Sequence, residues 1–342
     1  WGTNGITIDP NGLNYQGDPD TFTIEYGTDG MTVAITYMNA TQGWVPTIDE
    51  AVADVPMKVN SEGIFGFGTT GSVVSTTNLI SDAGVCSTDV TGVGTARYGL
   101  KATQYGGDKG IFAYGEIGGY HSMSNLVSNA GVVSTDVTGV GTARYKIAAC
   151  SYGEDKGIFY GGLITGSASD ISNLVSNAGV VATDVTGVGT ARYTPAACEY
   201  GGDKGIIGYG RAGSVYSMTN LVSNAGVVAS DVTGVGTARN GLAACSYGGD
   251  KGIFGFGYAS SNVSMTNLVS NVGVVGTDVT GVGTGRNELV ACEYGSGKGI
   301  FGFGTAGSRT AVTNLVSNAG VVASDVTGVG TARNELGACS FN

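Results

Sequence analysis

One histidine, His121, stands among 342 residues. Any site that needs two imidazoles is therefore excluded, which removes most zinc hydrolase and copper oxidase chemistry. Prolines number only 5 and charged residues only 13% of the chain. No run approaches the ~20 apolar residues of a membrane-spanning helix, so no membrane insertion is expected. No segment shows helical period. What abounds is glycine, 62 residues, well above the ordinary ~7%. No G-X-Y triplet runs through the sequence, so collagen is excluded. With 42% hydrophobic residues the chain can build a packed core and is not a disordered polymer.

The formal net charge of -11 argues against nucleic acid as a main partner. It divides unevenly. Residues 1–58 hold eight acids (Asp9, Asp18, Asp20, Glu25, Asp29, Asp49, Glu50, Asp54) against Lys58 alone. Composition changes at the same place, so a domain boundary is expected near residue 58. The first residue is Trp1 rather than Met. That reads as a fragment or processed product, and targeting stays open.

After residue 58 the chain repeats itself. Asn-Leu recurs at Asn78, Asn125, Asn173, Asn220, Asn267 and Asn314, every 47 or 48 residues. The string D-V-T-G-V-G-T-[AG]-R follows each time, from Asp89, Asp136, Asp184, Asp231, Asp278 and Asp325. Six copies of this length are an internal repeat. In the fourth copy, four short strands are expected: 195–200, 205–210, 218–223 and 227–232. Gly201-Gly202-Asp203-Lys204 and Asn224-Ala225-Gly226 supply the turns.

Four strands per ~45 residues describe a β-propeller blade. The first copy opens on a second strand, Gly63 to Gly68, and the last stops after a first strand, Glu335 to Phe341. Each end lacks what the other supplies. The expected fold is all-β: a small β-rich N-terminal module, 1–58, then a six-bladed propeller, 59–342, closed by the C-terminal strand. Closure would remove exposed sheet edges.

The run T-A-R-N-G-L-A-A-C-S-Y-G-G-D-K-G-I-F-G-F-G at 237–257 resembles the kelch family, over about 280 residues. The family's Gly-Gly pair after the second strand survives only as Gly161-Gly162, and its fourth-strand Trp is absent. The repeats also resemble kelch-like repeats in structural proteins of tailed phages. The strings at 6–14, 21–26, 31–37 and 41–45 resemble a β-rich module of phage fibre and tail appendage proteins, typically trimeric. The resemblance implies a virion protein assembled in the host cytoplasm: a tail fibre or appendage, a homotrimer joined to other virion proteins through residues 1–58. It implies no enzyme activity and no cofactor, with host-surface glycan or protein as partner. A decoration or spacer protein and a glycan-cleaving propeller remain as alternatives.

Arg97, Arg144, Arg192, Arg239, Arg286 and Arg333 each lie eight residues after their copy's Asp. Two readings compete: an anion-binding ring, or an Asp–Arg pair or backbone clamp fixing each crossover between blades, which is preferred. Asp108, Asp155, Asp203 and Asp250 precede a Lys in a turn, where turn chemistry accounts for them better than calcium. Asp9, Asn11, Asp18 and Asp20 fail the EF-hand pattern, so no metal is expected. Cys150, Cys198, Cys245, Cys292 and Cys339 occupy one position in five copies, Thr103 the sixth; Cys86 stands apart. Symmetry mates should exceed the ~7 Å disulfide limit, so buried free thiols are expected. Glu116, Asp170, Glu199 and Glu293 are unrepeated acids.

The copies differ most between second and third strands, at 69–77, 116–124, 163–172, 211–219, 258–266 and 305–313. Strand alternation sends these loops and the crossovers to one face, and the tight turns to the other. The expected binding residues are Tyr120, His121, Asp170, Arg211, Tyr216, Tyr258 and Arg309, since loops on a rigid scaffold carry recognition.

Overall fold

The computed structural model describes residues 6–16, 24–26, 31–51 and 61–341. Contacts divide the chain into two units, Trp1–Lys58 and Val59–Asn342. Every element among the described residues is a strand, and no helix is long and apolar enough to cross a membrane.

In the first unit Met31–Asn39 and Gly43–Ala51 form an antiparallel hairpin, and Ile6–Ile8 pairs with Ile24–Tyr26. The Asn14–Gln16 segment lies against the second hairpin strand: Trp44 N donates to Asn14 O, and Gln16 N to Trp44 O, both at 2.8 Å. Gly43 permits this approach, because a Cβ there would fall 1.6 Å from Asn14 O. Asp9 caps its own turn through Asn11 N at 2.8 Å. Asp18 and Asp20 lie outside the described residues.

The second unit holds six three-stranded antiparallel sheets, an arrangement compatible with a β-propeller. Five are continuous in sequence, such as Ala243–Tyr247, Lys251–Gly255 and Thr266–Val269. The sixth is split. Gly337–Phe341 pairs with Glu62–Gly66, which pairs with Thr77–Ile80. Cys339 lies opposite Ile64 in that register, as Cys245 lies opposite Ile253.

Packing between sheets follows from the K-G-I-F-G pattern of the middle strands. The Ile and Phe point to opposite faces, yet Ile253 and Phe254 are both fully buried. Both faces are therefore covered by neighbouring sheets. The glycine serves close approach. A Cβ on Gly252 would lie 2.5 Å from Cys198 Sγ of the preceding sheet. The same socket pairs Gly299 with Cys245, Gly63 with Cys292 and Gly110 with Cys339. The six cysteines are accordingly buried and free. Burial pushes the Cys86 thiol up to about 11 and Cys339 to about 12.

The expected fourth strand is not regular. In the fourth copy two isolated bridges replace it, Val222↔Val228 and Thr219↔Val232. Three steps on one side face four on the other, so one residue is surplus and the ladder bulges. The Asn220 side chain fills the gap. Its amide donates to Ala229 O and to Asp231 Oδ1, each at 2.9 Å. Asn78, Asn125, Asn173, Asn267 and Asn314 repeat this arrangement.

Candidate functional site

The crossovers are held by the repeated arginines. Arg239 is fully buried. Its Nε donates to Phe256 O (2.8 Å), Nη1 to Thr237 O (3.1 Å) and Nη2 to Asn267 Oδ1 (2.7 Å). Its guanidinium lies 4.3 Å from the centre of the Tyr209 ring, on the preceding sheet. The guanidinium therefore bolts two sheets together and offers nothing to an external anion. The acidic partner is the next copy's Asp rather than the one eight residues earlier. Arg97 faces Asp136 at 3.9 Å and Arg192 faces Asp231 at 3.7 Å. Burial lowers Arg97 to about 10, against the pull of Asp136. Burial works to raise Asp136, but hydrogen bonds from Thr95 and Asn125 outweigh it and hold the carboxyl low. Arg333 repeats the clamp on the first copy: Nε to Phe67 O at 3.0 Å, Nη2 to Asn78 Oδ1 at 2.6 Å, and Nη1 3.7 Å from Asp89.

Two residues beyond each arginine the chain turns onto the first strand of a sheet. The six residues there are Gly99, Lys146, Thr194, Gly241, Glu288 and Glu335. They hydrogen-bond in a closed circuit. Lys146 N donates to Gly99 O (2.7 Å), Thr194 N to Lys146 O (2.7 Å) and Gly241 N to Thr194 O (3.2 Å). Glu288 N donates to Gly241 O (2.7 Å), Glu335 N to Glu288 O (3.0 Å) and Gly99 N to Glu335 O (2.9 Å). All six have positive φ, between 53° and 65°. Four of them are not glycine, so backbone strain collects here.

Three cavities follow these first strands from the circuit. The first, about 330 Å³ when the space open to solvent is counted, is lined by the six circuit residues with Lys101 and their apolar neighbours. The second is walled by alanines of the same strands. The third reaches Gln104, Ser151, Glu199, Ser246, Glu293 and Ser340 on the side of the tight turns. Shared lining residues join the three end to end.

The first cavity carries two cations and two carboxyls. Lys146 Nζ lies 3.1 Å from Glu335 Oε1. Asn334 Nδ2 donates to Glu288 Oε2 at 2.6 Å. Glu335 Oε2 is buried and finds no donor. Burial raises Glu335 to about 7, opposed by Lys146 and reinforced by Glu288 beside it. Lys101 occupies a position held by alanine, valine or glycine in the other copies. Its ammonium reaches Leu336 O at 3.4 Å, and burial lowers it to about 8 against the attraction of Glu335 and Glu288. At the far end Glu199, which accepts from Ser151 Oγ, and Glu293 are both raised to about 7 by burial.

Just outside the circuit stand Tyr98, Tyr145 and Tyr193 on one half and Asn240, Asn287 and Asn334 on the other. Each bridges a variable loop, as in Tyr98↔Glu116, Tyr193↔Arg211 and Asn240↔Tyr258. Loops and circuit thus share a face. Tyr120 stacks on Tyr145 with centroids 4.8 Å apart, and Tyr98 meets Tyr145 edge-on at 6.1 Å. Arg211 lies 5.7 Å from the Tyr193 ring centre. Arg309 Nε donates to Asn334 Oδ1 at 3.0 Å. The other expected residues serve their own loops. His121 Nε2 is 3.1 Å from Ile117 O, and Tyr216 donates to Ala212 O at 3.2 Å. Asp170 is half-buried against Gly187, and Tyr258 is exposed. The seven expected residues belong to five copies and form no single pocket.

Sequence reasoning missed Lys101, Lys146, Glu288 and Glu335. A signal was present: the residue after Tyr or Asn in T-[AG]-R-[YN] differs among copies as freely as the loops do. On the turn face Lys109 pairs with Asp108 at 2.7 Å and Lys251 with Asp250 at 2.5 Å, ordinary turn pairs. Among the described residues no three acids, cysteines or histidines are placed to hold a metal. No protein-family model matches the chain, and no curated protein matches it significantly.

Proposed function

We propose that residues 59–342 are a closed six-bladed β-propeller, displayed on a tailed-phage appendage, that binds the host surface without chemistry. Residues 1–58 would dock to other virion proteins and trimerise. The repeated arginine clamp, including the one from Arg333 to the first copy, supports closure. So does the circuit of six backbone hydrogen bonds. The phage assignment rests on the resemblance of the repeats and of the N-terminal strings.

The observation that carries the adhesion reading is where difference accumulates. Variable loops and the variable circuit position lie on one face of an otherwise repeated scaffold. Glu62 and Phe341, the ends of the split strand pair, are on the opposite, turn side, level with Lys251 and Tyr247 of the unsplit fifth copy. Weak contacts multiplied over many copies on a particle give high avidity. The full chain, with loops 116–124, 211–219 and 258–266 exchanged singly for loop 305–313, should lose capture by bacterial cells. Capture by no strain of a broad panel, or capture indifferent to every exchange, would refute adhesion and favour a spacer.

One observation favours glycan cleavage: Glu288 and Glu335 adjoin in a cavity. Their carboxyls lie within hydrogen-bonding reach. Glycosidases separate theirs by ~5 Å or more to admit the sugar. This pair suits binding rather than hydrolysis.

A further inference from the structure

We infer that the first axial cavity, with the tyrosine half of its rim, is a binding site for one neutral pyranose residue of a glycan. The inference rests on the adhesion reading and names its ligand class. Four features point the same way. Lys101, Lys146, Glu288 and Glu335 sum to zero formal charge, so the cavity selects neither an anion nor a cation. It offers ammonium donors, carboxyl acceptors and the Thr194 hydroxyl around a narrow mouth that opens to solvent. A sugar ring's hydroxyls are donor and acceptor at once and match such a mixed wall. Glu335 Oε2, buried without a donor, would gain one from a ligand hydroxyl.

The fourth feature is the rim. Tyr98, Tyr145 and Tyr193 are half-buried, and Tyr120 extends the platform by stacking on Tyr145. Pyranose rings present patches of C–H bonds that pack on aromatic faces, while their hydroxyls stay in reach of the polar wall. The Asn240, Asn287 and Asn334 half lacks such a platform, so the sugar is held on one side of the axis. Gly99 keeps the space open. A Cβ there would fall 2.8 Å from Tyr145 Cδ2 and 3.3 Å from Glu335 Oε2.

The sister copies supply variants that fold. Position 146 is glycine in two other copies and position 145 is asparagine in three, so Lys146→Gly and Tyr145→Asn keep the backbone's left-handed turn. The full-length protein is tested in two arms. Saturation-transfer NMR with methyl glycosides of glucose, galactose, mannose and N-acetylglucosamine should show transfer to at least one. Both variants should weaken that binding about tenfold or more while still unfolding in one cooperative transition. Lys251→Gln, on the turn face, should leave it intact. In the second arm, cells that capture the protein are treated with periodate or with protease. Loss after periodate and survival after protease is expected. Capture that survives periodate but not protease overturns the sugar inference and leaves adhesion standing. If no cells capture the protein, adhesion falls, and the NMR arm alone decides the sugar site: no transfer from any glycoside, or transfer unchanged in both variants, overturns it.

Discussion

Replacing a clamp arginine tests the ring directly, because two closely similar clamps differ mainly in what they join. Arg239 ties neighbouring copies along the chain; Arg333 ties the last copy to the first. Arg239→Met keeps much of the volume and deletes three hydrogen bonds of 2.7–3.1 Å. Such bonds to a charged donor are worth about 1.5–3 kcal/mol each. Relief from burying the guanidinium returns part of that, and losing one partner of a buried polar network costs about 3–5 kcal/mol in net. Arg333→Met deletes bonds of 3.0, 3.2 and 2.6 Å and a ring contact at 4.5 Å. In a closed ring its cost should equal that of Arg239→Met. Equilibrium urea unfolding, followed by tyrosine fluorescence and circular dichroism, measures both. If Arg333→Met stays within about 0.5 kcal/mol of the parent while Arg239→Met shows the full loss, the ring is open and the reasoning fails.

Three further outcomes are expected. Glu199 and Glu293 stand near 7 in the folded chain, above their unfolded values. The folded state therefore holds protons the unfolded state releases, and stability should fall as pH rises from about 4.5 to about 7. The ceiling is about 3 kcal/mol per group, reduced by water entering the channel. The clamp aspartates, held low by hydrogen bonds that outweigh burial, lose their contribution below about pH 4. Melting temperatures should peak near pH 4–5, and Glu199→Gln with Glu293→Gln should flatten the alkaline side; a peak at pH 8 would contradict this. Gly252→Ala should cost about 1–3 kcal/mol, since its methyl would meet Cys198 Sγ at 2.5 Å. Adding Cys198→Ala should recover much of the loss, and strict additivity in the double mutant would show the socket to be wrong. Thr194→Gly should stabilise by up to about 1 kcal/mol, because Thr194 holds φ 53°; a lower urea midpoint would count against strain in the circuit.

Much of the architecture was legible because the repeat fixes strand spacing and the Gly-Gly-Asp-Lys turns fix its phase. The fourth strand was not. A run such as V-V-A-S-D-V has the composition of a strand, yet Asn220 reaches across and takes its carbonyl. Side-chain insertion of that kind leaves no mark on local propensity. The arginines were legible as clamps, but their acidic partner was not. Distance along the chain favoured the Asp eight residues back, whereas the sheet stack brings up the next copy's Asp. At the candidate site the loops announced themselves by their variation. The axial charges did not, since Lys146, Glu288 and Glu335 are single substitutions beside an invariant arginine. Only convergence of six crossovers puts residues 146 and 335 within 3.1 Å. Two of the seven loop residues chosen by chemistry, His121 and Tyr216, turn their polar atoms inward to brace their own hairpins.

The split sheet leaves Phe341 and Glu62 opposite one another, at a place where five other sheets carry a tight turn. In residues 62–341 taken alone, one such turn inserted there, with the chain severed instead between Tyr200 and Lys204, would give a circular permutant with the same sheet pairings. Cargo or labels can then be grafted at any of six equivalent stations on the side turned away from the variable loops.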